Sequence, residues 1–393
     1  MTTNWVVKAI IVLILFKPTT SWANDIYISQ SGDNIDMTIV QDGENNVISS
    51  VAGNTRKAPI SGNNTNTTFT QTGDNNDIGV YMSAGNGQQT VTQTGNTNYA
   101  TSDCHGNNCS TTITQYGNNN SANLEFGNGG DYDNTGTITQ DGDYNAAGME
   151  ANGDDNTFVI DQDGDNNAVG GITGAPITGD NNVLSITQNG DYMTFEGHLI
   201  GSNNSLTSFQ GGSANNSFIR VSTVGSNNTG DLRQGKRLDG NVDNNDSGNH
   251  EQYITVVGDG NTINTSQVNS NGANSDHHMA HIITGDSNTV SHEQFANNKK
   301  QGYIEITGDS NTVSLQQRNG ANHLADINLT GDDHTVTGTQ WGQGGAHNFT
   351  VDLTNSGGAY NMSTTQTSNT AQTYSLTGSC ATVGGCAVSV FQN

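Results

Sequence analysis

Glutamine recurs at a near-constant interval through the first half of the chain: Gln71, Gln93, Gln115, Gln140, Gln162, Gln188 and Gln210 each end a short β-prone run rich in Thr, Ile and Val. Four of the six steps are 22 residues and the others are 25 and 26, the latter containing Gly174-Ala175-Pro176. A period of this length marks a chain built from units too small to fold alone, which bury apolar surface only by stacking. Extra residues at two steps belong in surface loops, where length is least constrained.

One unit reads as strand, turn, strand, turn. Thr90-Val91-Thr92-Gln93 alternates with period two, which puts Val91 and Gln93 on one face and Thr90 and Thr92 on the other. Gly95-Asn96-Thr97-Asn98 then turns the chain, since glycine and asparagine accept positive φ at little cost. A second array follows the charged stretch Lys236-Arg237-Leu238-Asp239-Gly240: Ile283-Thr284-Gly285-Asp286-Ser287-Asn288-Thr289-Val290 returns 23 residues later as Ile306-Thr307-Gly308-Asp309-Ser310-Asn311-Thr312-Val313. Gln294, Gln317 and Gln340 keep that spacing, and Gln366 and Gln392 stay within three residues of it. The pattern predicts an all-β fold, a β-solenoid of about sixteen two-strand coils, cross-β in character. Inward Gln and Asn are costly to bury unless each amide bonds to its copy in the next coil.

Composition agrees. Glycine supplies 50 of 393 residues, proline 3, and hydrophobic residues 31%, too little for a conventional core of this length. Regularly spaced Ile, Val and Gly argue against disorder. Residues 1–23 differ in kind: Lys8 precedes the apolar run Ala9–Phe16, and Ser21-Trp22-Ala23 places small residues at the −3 and −1 positions of a signal-peptide cleavage site. The apolar run is too short to span a membrane comfortably, and no transmembrane segment is expected elsewhere. Removing residues 1–23 discards Lys8 and Lys17 and no acid, taking the net charge from −26 to −28. That charge argues against nucleic acid and anionic lipid as partners. The reading by segments is a signal peptide at 1–23, a first array at 24–235, an irregular charged linker or insertion at 236–250, and a second array at 251–393.

Residues of the turns carry a resemblance. Gln-x-Gly-x-x-Asn-x-Ala occurs intact at Gln93, Gly95, Asn98, Ala100; at Gln115, Gly117, Asn120, Ala122; and at Gln140, Gly142, Asn145, Ala147. It occurs in part at Gln41, Gly43, Asn46; at Gln71, Gly73, Asn76; and at Gln162, Gly164, Asn167. This pattern resembles the curlin repeat. The resemblance implies a subunit of curli-type extracellular amyloid fibres of a bacterial surface, serving adhesion, aggregation and biofilm matrix, with self-association or other curlin-like subunits as partners and outer-membrane secretion machinery as the implied route. The chain departs from the family in its length, in lacking the Gln four residues after the Ala, and in lacking a Gly-rich segment after the signal peptide, where Ile26-Tyr27-Ile28-Ser29-Gln30 already reads as strand.

Other features have a structural and a chemical reading. Cys104 with Cys109 and Cys380 with Cys386 read as two small-loop disulfides in an oxidising compartment, with a zinc site as the rival. Gly-Asp turns such as Gly73-Asp74, Gly142-Asp143 and Gly308-Asp309 read as turns with solvated carboxylates, with structural calcium as the rival. His277, His278, His281 and His292 read as exposed loop histidines rather than a metal site, and no cofactor is expected. Thr68/Thr70, Thr90/Thr92, Thr112/Thr114 and Thr137/Thr139 read as solvent-facing strand positions. The alternative function they raise is a monomeric solenoid adhesin or ice-binding protein, which an ice-recrystallisation assay on monomer separates from a fibre subunit. No acid–base pair, partnered nucleophile or phosphate loop with a following helix is found, so the chain reads as non-enzymatic.

Overall fold

The computed structural model describes residues 24–393 except 27–30, 32, 50–59, 81, 83–84, 104–106, 127–132, 171–175, 213–216, 237, 239–248, 270–276, 320–321, 353–357, 379, 381 and 383–384. Residues 1–23, read from sequence as a signal peptide, therefore lie outside the described residues. Among the described residues every regular element is a strand, all paired strands are parallel, and no helix is long and apolar enough to cross a membrane. Successive coils lay equivalent strands on one another, which makes the fold a β-solenoid.

The chain divides into two compact units, one ending at Leu184 and one beginning at Ser185. In the first, six strands of seven residues form one column: Asp36–Asp42, Asn66–Thr72, Gln88–Thr94, Ser110–Tyr116, Thr135–Asp141 and Thr157–Asp163. Register is fixed by the glutamines, with Gln41 opposite Gln71, Gln71 opposite Gln93, Gln93 opposite Gln115, and so on to Gln162. A slip of one residue would turn Val91 and Gln93 to solvent and is excluded by the burial of that face. Ile39, Phe69, Val91, Ile113, Ile138 and Ile160 form the apolar seam, each at most 4% exposed. Ile48, Ile78, Ala100, Ala122, Ala147 and Val169 line the opposite side. The alanines of the repeat are thus core residues whose small side chains let the two sides approach.

The second unit carries eight long strands: Ser205–Gly211, Thr229–Gln234, Thr262–Val268, Thr289–Phe295, Thr312–Arg318, Thr335–Trp341, Tyr360–Gln366 and Cys386–Gln392. Val183–Asn189 spans the division in sequence. Residues 236–250 lie largely outside the described residues, but the strands flanking them are direct neighbours, paired from Thr229 with Thr262 to Gln234 with Gln267.

The two-strand picture of a coil is refined by the side opposite the long strand. After Thr135–Asp141 and the turn Gly142–Asn145, that side is split into Ala146–Ala147 and Glu150–Asn152, which belong to separate sheets, before a second turn, Gly153–Asn156, leads into Thr157–Asp163. The Gly148-Met149 step separates the two short strands, and Met149 fills the interior there. This coil therefore has two Gly-x-x-Asn corners, Gly142–Asn145 and Gly153–Asn156, with Gly142, Gly153 and Gly164 each 11 residues apart.

Candidate functional site

The feature with the most specific chemistry is the amide ladder inside the coils. In the first unit the repeat glutamines that end the long strands donate from Nε2 to Oε1 of the next: Gln41 to Gln71 at 2.7 Å, Gln71 to Gln93 at 3.0 Å, Gln93 to Gln115 at 2.9 Å, Gln115 to Gln140 at 2.8 Å and Gln140 to Gln162 at 2.8 Å. The second N–H of the amide goes to a main-chain carbonyl of the preceding coil, as from Gln93 to Asp77 O at 3.1 Å and from Gln115 to Tyr99 O at 3.0 Å. Both donors and one acceptor are thereby used, which removes the penalty of burying the group. In the second unit the same ladder runs from Gln188 through Gln210, Gln234, Gln267, Gln294, Gln317, Gln340 and Gln366 to Gln392. All of these bonds point the same way along the chain.

Asparagine makes the corner ladder. Asn76 donates its main-chain N–H to Asn46 Oδ1 at 3.0 Å, and its Nδ2 to Gly95 O at 2.8 Å; Asn98, Asn120 and Asn145 repeat both bonds, and Asn167 N reaches Asn145 Oδ1 at 3.0 Å. Glycine at the corner is a requirement of the stack. At Gly95, φ is +117° and an added Cβ would lie 1.9 Å from Gly117 O; Gly43, Gly73, Gly117 and Gly142 are as tight against the next coil, and Gly164 shares their positive φ.

Sequence periodicity missed the second corner, where Asn134, Asn156 and Asn182 in the first unit, and Asn204, Asn228, Asn261, Asn288 and Asn311 in the second, form an equivalent ladder. The Gly-Asp-Ser-Asn-Thr-Val consensus is this corner, the one that precedes the long strand. The two arrays thus differ in which corner keeps the signature, and the 11-residue offset between Gly142 and Gly153 was the available signal.

The turn aspartates have partners. Asp286 Oδ1 accepts from Asp259 N at 2.7 Å, Asp309 Oδ1 from Asp286 N at 2.8 Å, and Asp332 Oδ1 from Asp309 N at 2.8 Å, so each carboxylate caps the turn of the neighbouring coil. Among the described residues no group of three or more His, Cys, Asp or Glu is arranged to hold a metal ion. Cys380 and Cys386 are disulfide-bonded, with their Cα atoms 5.8 Å apart. Cys109 is buried, and Cys104 lies outside the described residues. On the outer face the Thr-x-Thr pairs align in register over four coils, then give way to Val159 and Asp161, whose carboxyl is pushed up by burial and by Asp163 and Asp141.

The histidines overturn the expectation of exposed loops. His277, His281 and His292 are each fully buried, and only His278 is half exposed. These side chains occupy corner and core positions of the coil, where the side-chain period of a strand does not place a residue at the surface.

No curated protein matches the chain. The curlin associated repeat matches residues 133–164, which are one complete coil and the following long strand, with Gln140 and Gln162 marking the two ends of the period. Over that coil, whose Gln, Gly and Asn recur down the first unit, the chain is similar to the curlin associated repeat.

Proposed function

We propose that the protein is a structural, non-catalytic subunit of an extracellular, curli-like fibre or surface matrix, which grows by adding the end coil of one copy to the end coil of another. The observation that carries this reading is the one-way glutamine ladder in a parallel, in-register stack. Among the described residues Cys386–Gln392 pairs with a strand on one side only, and Gln392 accepts from Gln366 at 2.7 Å. A coil laid on that edge would continue both the main-chain ladder and the amide ladder. A heterologous contact of this kind does not close on itself and so extends indefinitely. Export across the inner membrane, outer-membrane secretion machinery, adhesion and biofilm formation follow from the family likeness.

The test uses mature protein, residues 24–393, concentrated with and without seeds of a short curlin subunit. Fibres with a meridional reflection near 4.7 Å are the expected result. Protein that stays monomeric at high concentration, seeded or unseeded, refutes the reading.

A further inference from the structure

At the corner after the long strand, the second unit replaces the asparagine column of the first with His250, His277, Lys300, His323 and His347, all at most 1% exposed. Bridges pair His250 with His277 and Lys300 with His323. The rings of His250 and His277 stack at 5.1 Å, and those of His323 and His347 at 5.1 Å. His277 and His323 reproduce the asparagine acceptor bond. Lys300 N donates to His277 Nδ1 at 3.3 Å and His347 N to His323 Nδ1 at 3.3 Å, as Asn120 N does to Asn98 Oδ1. His323 Nε2 faces Arg318 O at 2.9 Å, as Asn120 Nδ2 faces Tyr116 O. At the other corner His334 continues the asparagine ladder in the same way, with Tyr360 N on its Nδ1 at 3.0 Å and Thr330 O opposite its Nε2 at 3.3 Å.

A main-chain N–H can only donate, so Nδ1 of His277, His323 and His334 must be unprotonated and the ring hydrogen sits on Nε2. In the core His281 Nε2 and His292 Nδ1 lie 3.0 Å apart and share one hydrogen. An amide keeps its acceptor at any pH; an imidazole loses it on taking a second proton.

We propose that the second unit is acid-sensitive through these histidines: protonation at Nδ1 removes the acceptor that joins one coil to the next, and residues 250–350 loosen. The inference concerns the folded coil and holds whether or not copies assemble.

The charges within the column act in the same direction; Asp332 and Asp333 at His334, and Glu251 at His278, oppose it. Lys300, its Nζ held by Asn297 O and Asn298 O and pushed down to about 7 by burial, is cationic at pH 5 between His277 and His323. Burial first, then His250 and Lys300, hold His277 well below the usual range; burial and Lys300, with His347 the smallest contribution, bring His323 to about 4. Burial first also lowers His281, against His292, and His292, to about 4; it lowers His347 and His334 too, although Asp332 and Asp333 partly offset the effect at His334. On the outer edge His278 is lowered by burial and faces Glu251 and Lys299, while Glu293 is paired with Arg318.

A folded value below the ordinary 6.5 means that the unfolded segment takes up protons first. The stabilisation is complete above pH 6.5 and is lost as pH falls toward 4. Between pH 7.5 and pH 5, each histidine at about 4 when folded lowers the folded-to-unfolded ratio roughly 30-fold.

Hydrogen exchange of the mature protein at pH 7.5 and pH 5.0, corrected for intrinsic rates, tests this. Protection over 250–350 is expected to fall by about 30-fold or more, and over 66–169 by less than about 3-fold. The variant H277N/H323N/H347N, which installs the first unit's own corner residue, is expected to lose about 30-fold less protection at pH 5.0 than wild type, the share of His323, while His292 still titrates. Equal loss in both segments, or the same loss in the variant, overturns the proposal. Should the variant lack protection already at pH 7.5, histidine NMR of the wild type decides: Nε2–H tautomers titrating below pH 5 uphold it, and titration near 6.5 overturns it.

Discussion

The glutamine ladder makes a quantitative prediction because its bonds are shared between neighbours. Replacing Gln93 with Leu removes the bond from Gln71 at 3.0 Å, the bond to Gln115 at 2.9 Å and the bond to Asp77 O at 3.1 Å. Each net bond is worth about 1 kcal/mol, and each buried group left without a partner costs about 1–3 kcal/mol. Leucine returns part of this through apolar burial, leaving a destabilisation of roughly 2–4 kcal/mol. The sharper test is coupling. Gln93→Leu with Gln115→Leu breaks three rungs, those from Gln71, Gln93 and Gln115, because the two share one. Gln71→Leu with Gln140→Leu breaks four: those from Gln41 and Gln71, and those from Gln115 and Gln140. The adjacent pair should therefore cost less than the sum of its single variants by about 1–2 kcal/mol, while the separated pair should be additive within about 0.5 kcal/mol. Urea unfolding of the mature chain, with hydrogen exchange over 88–116 to locate the change, measures both. Additivity in the adjacent pair would refute the ladder as an energetic unit, and single variants within about 0.5 kcal/mol of wild type would refute its contribution to stability.

Two further outcomes follow from the corners and the C-terminal coil. Gly95→Ala is expected to cost at least about 3 kcal/mol, since the new methyl meets Gly117 O at 1.9 Å. Gly62→Ala, with φ +89° but nothing within 4 Å, should cost only the backbone strain, about 1–2 kcal/mol; equal thermal shifts for the two would show that coil-to-coil contact is not what demands glycine at Gly95. Reducing the Cys380–Cys386 bond, which closes a loop with a sequence separation of 6, should remove about 2 kcal/mol of local stability. Exchange should quicken over 360–392 and stay unchanged over 66–163, and a change spread over both segments would contradict a local role.

Much of the fold was legible because the side-chain period of a strand and the spacing of Gln93, Gln115 and Gln140 are one-dimensional facts. They identify the inward face, the turn glycines and the parallel stack without coordinates. His323 and His347 were not legible in the same way. A histidine that copies asparagine keeps the bonding pattern and changes the residue type, so a search for a repeated letter passes over it. Residues 236–250 break the repeat period and obscured the same column, because they hide how His250 stands relative to Asn145 and Asn167 in their own coils.

The sequence by itself determined that equivalent strands stack in parallel at a spacing of 22–23 residues and that the inward glutamines need hydrogen-bond partners, which their copies in the next coil can supply. Tertiary structure alone decided which corner each asparagine occupies, that the side opposite the long strand is split in two, and that the histidines are interior. Those outcomes depend on which residues of adjacent coils come within hydrogen-bonding distance. That proximity is set by closure of the coil in three dimensions, not by the order of residues along the chain.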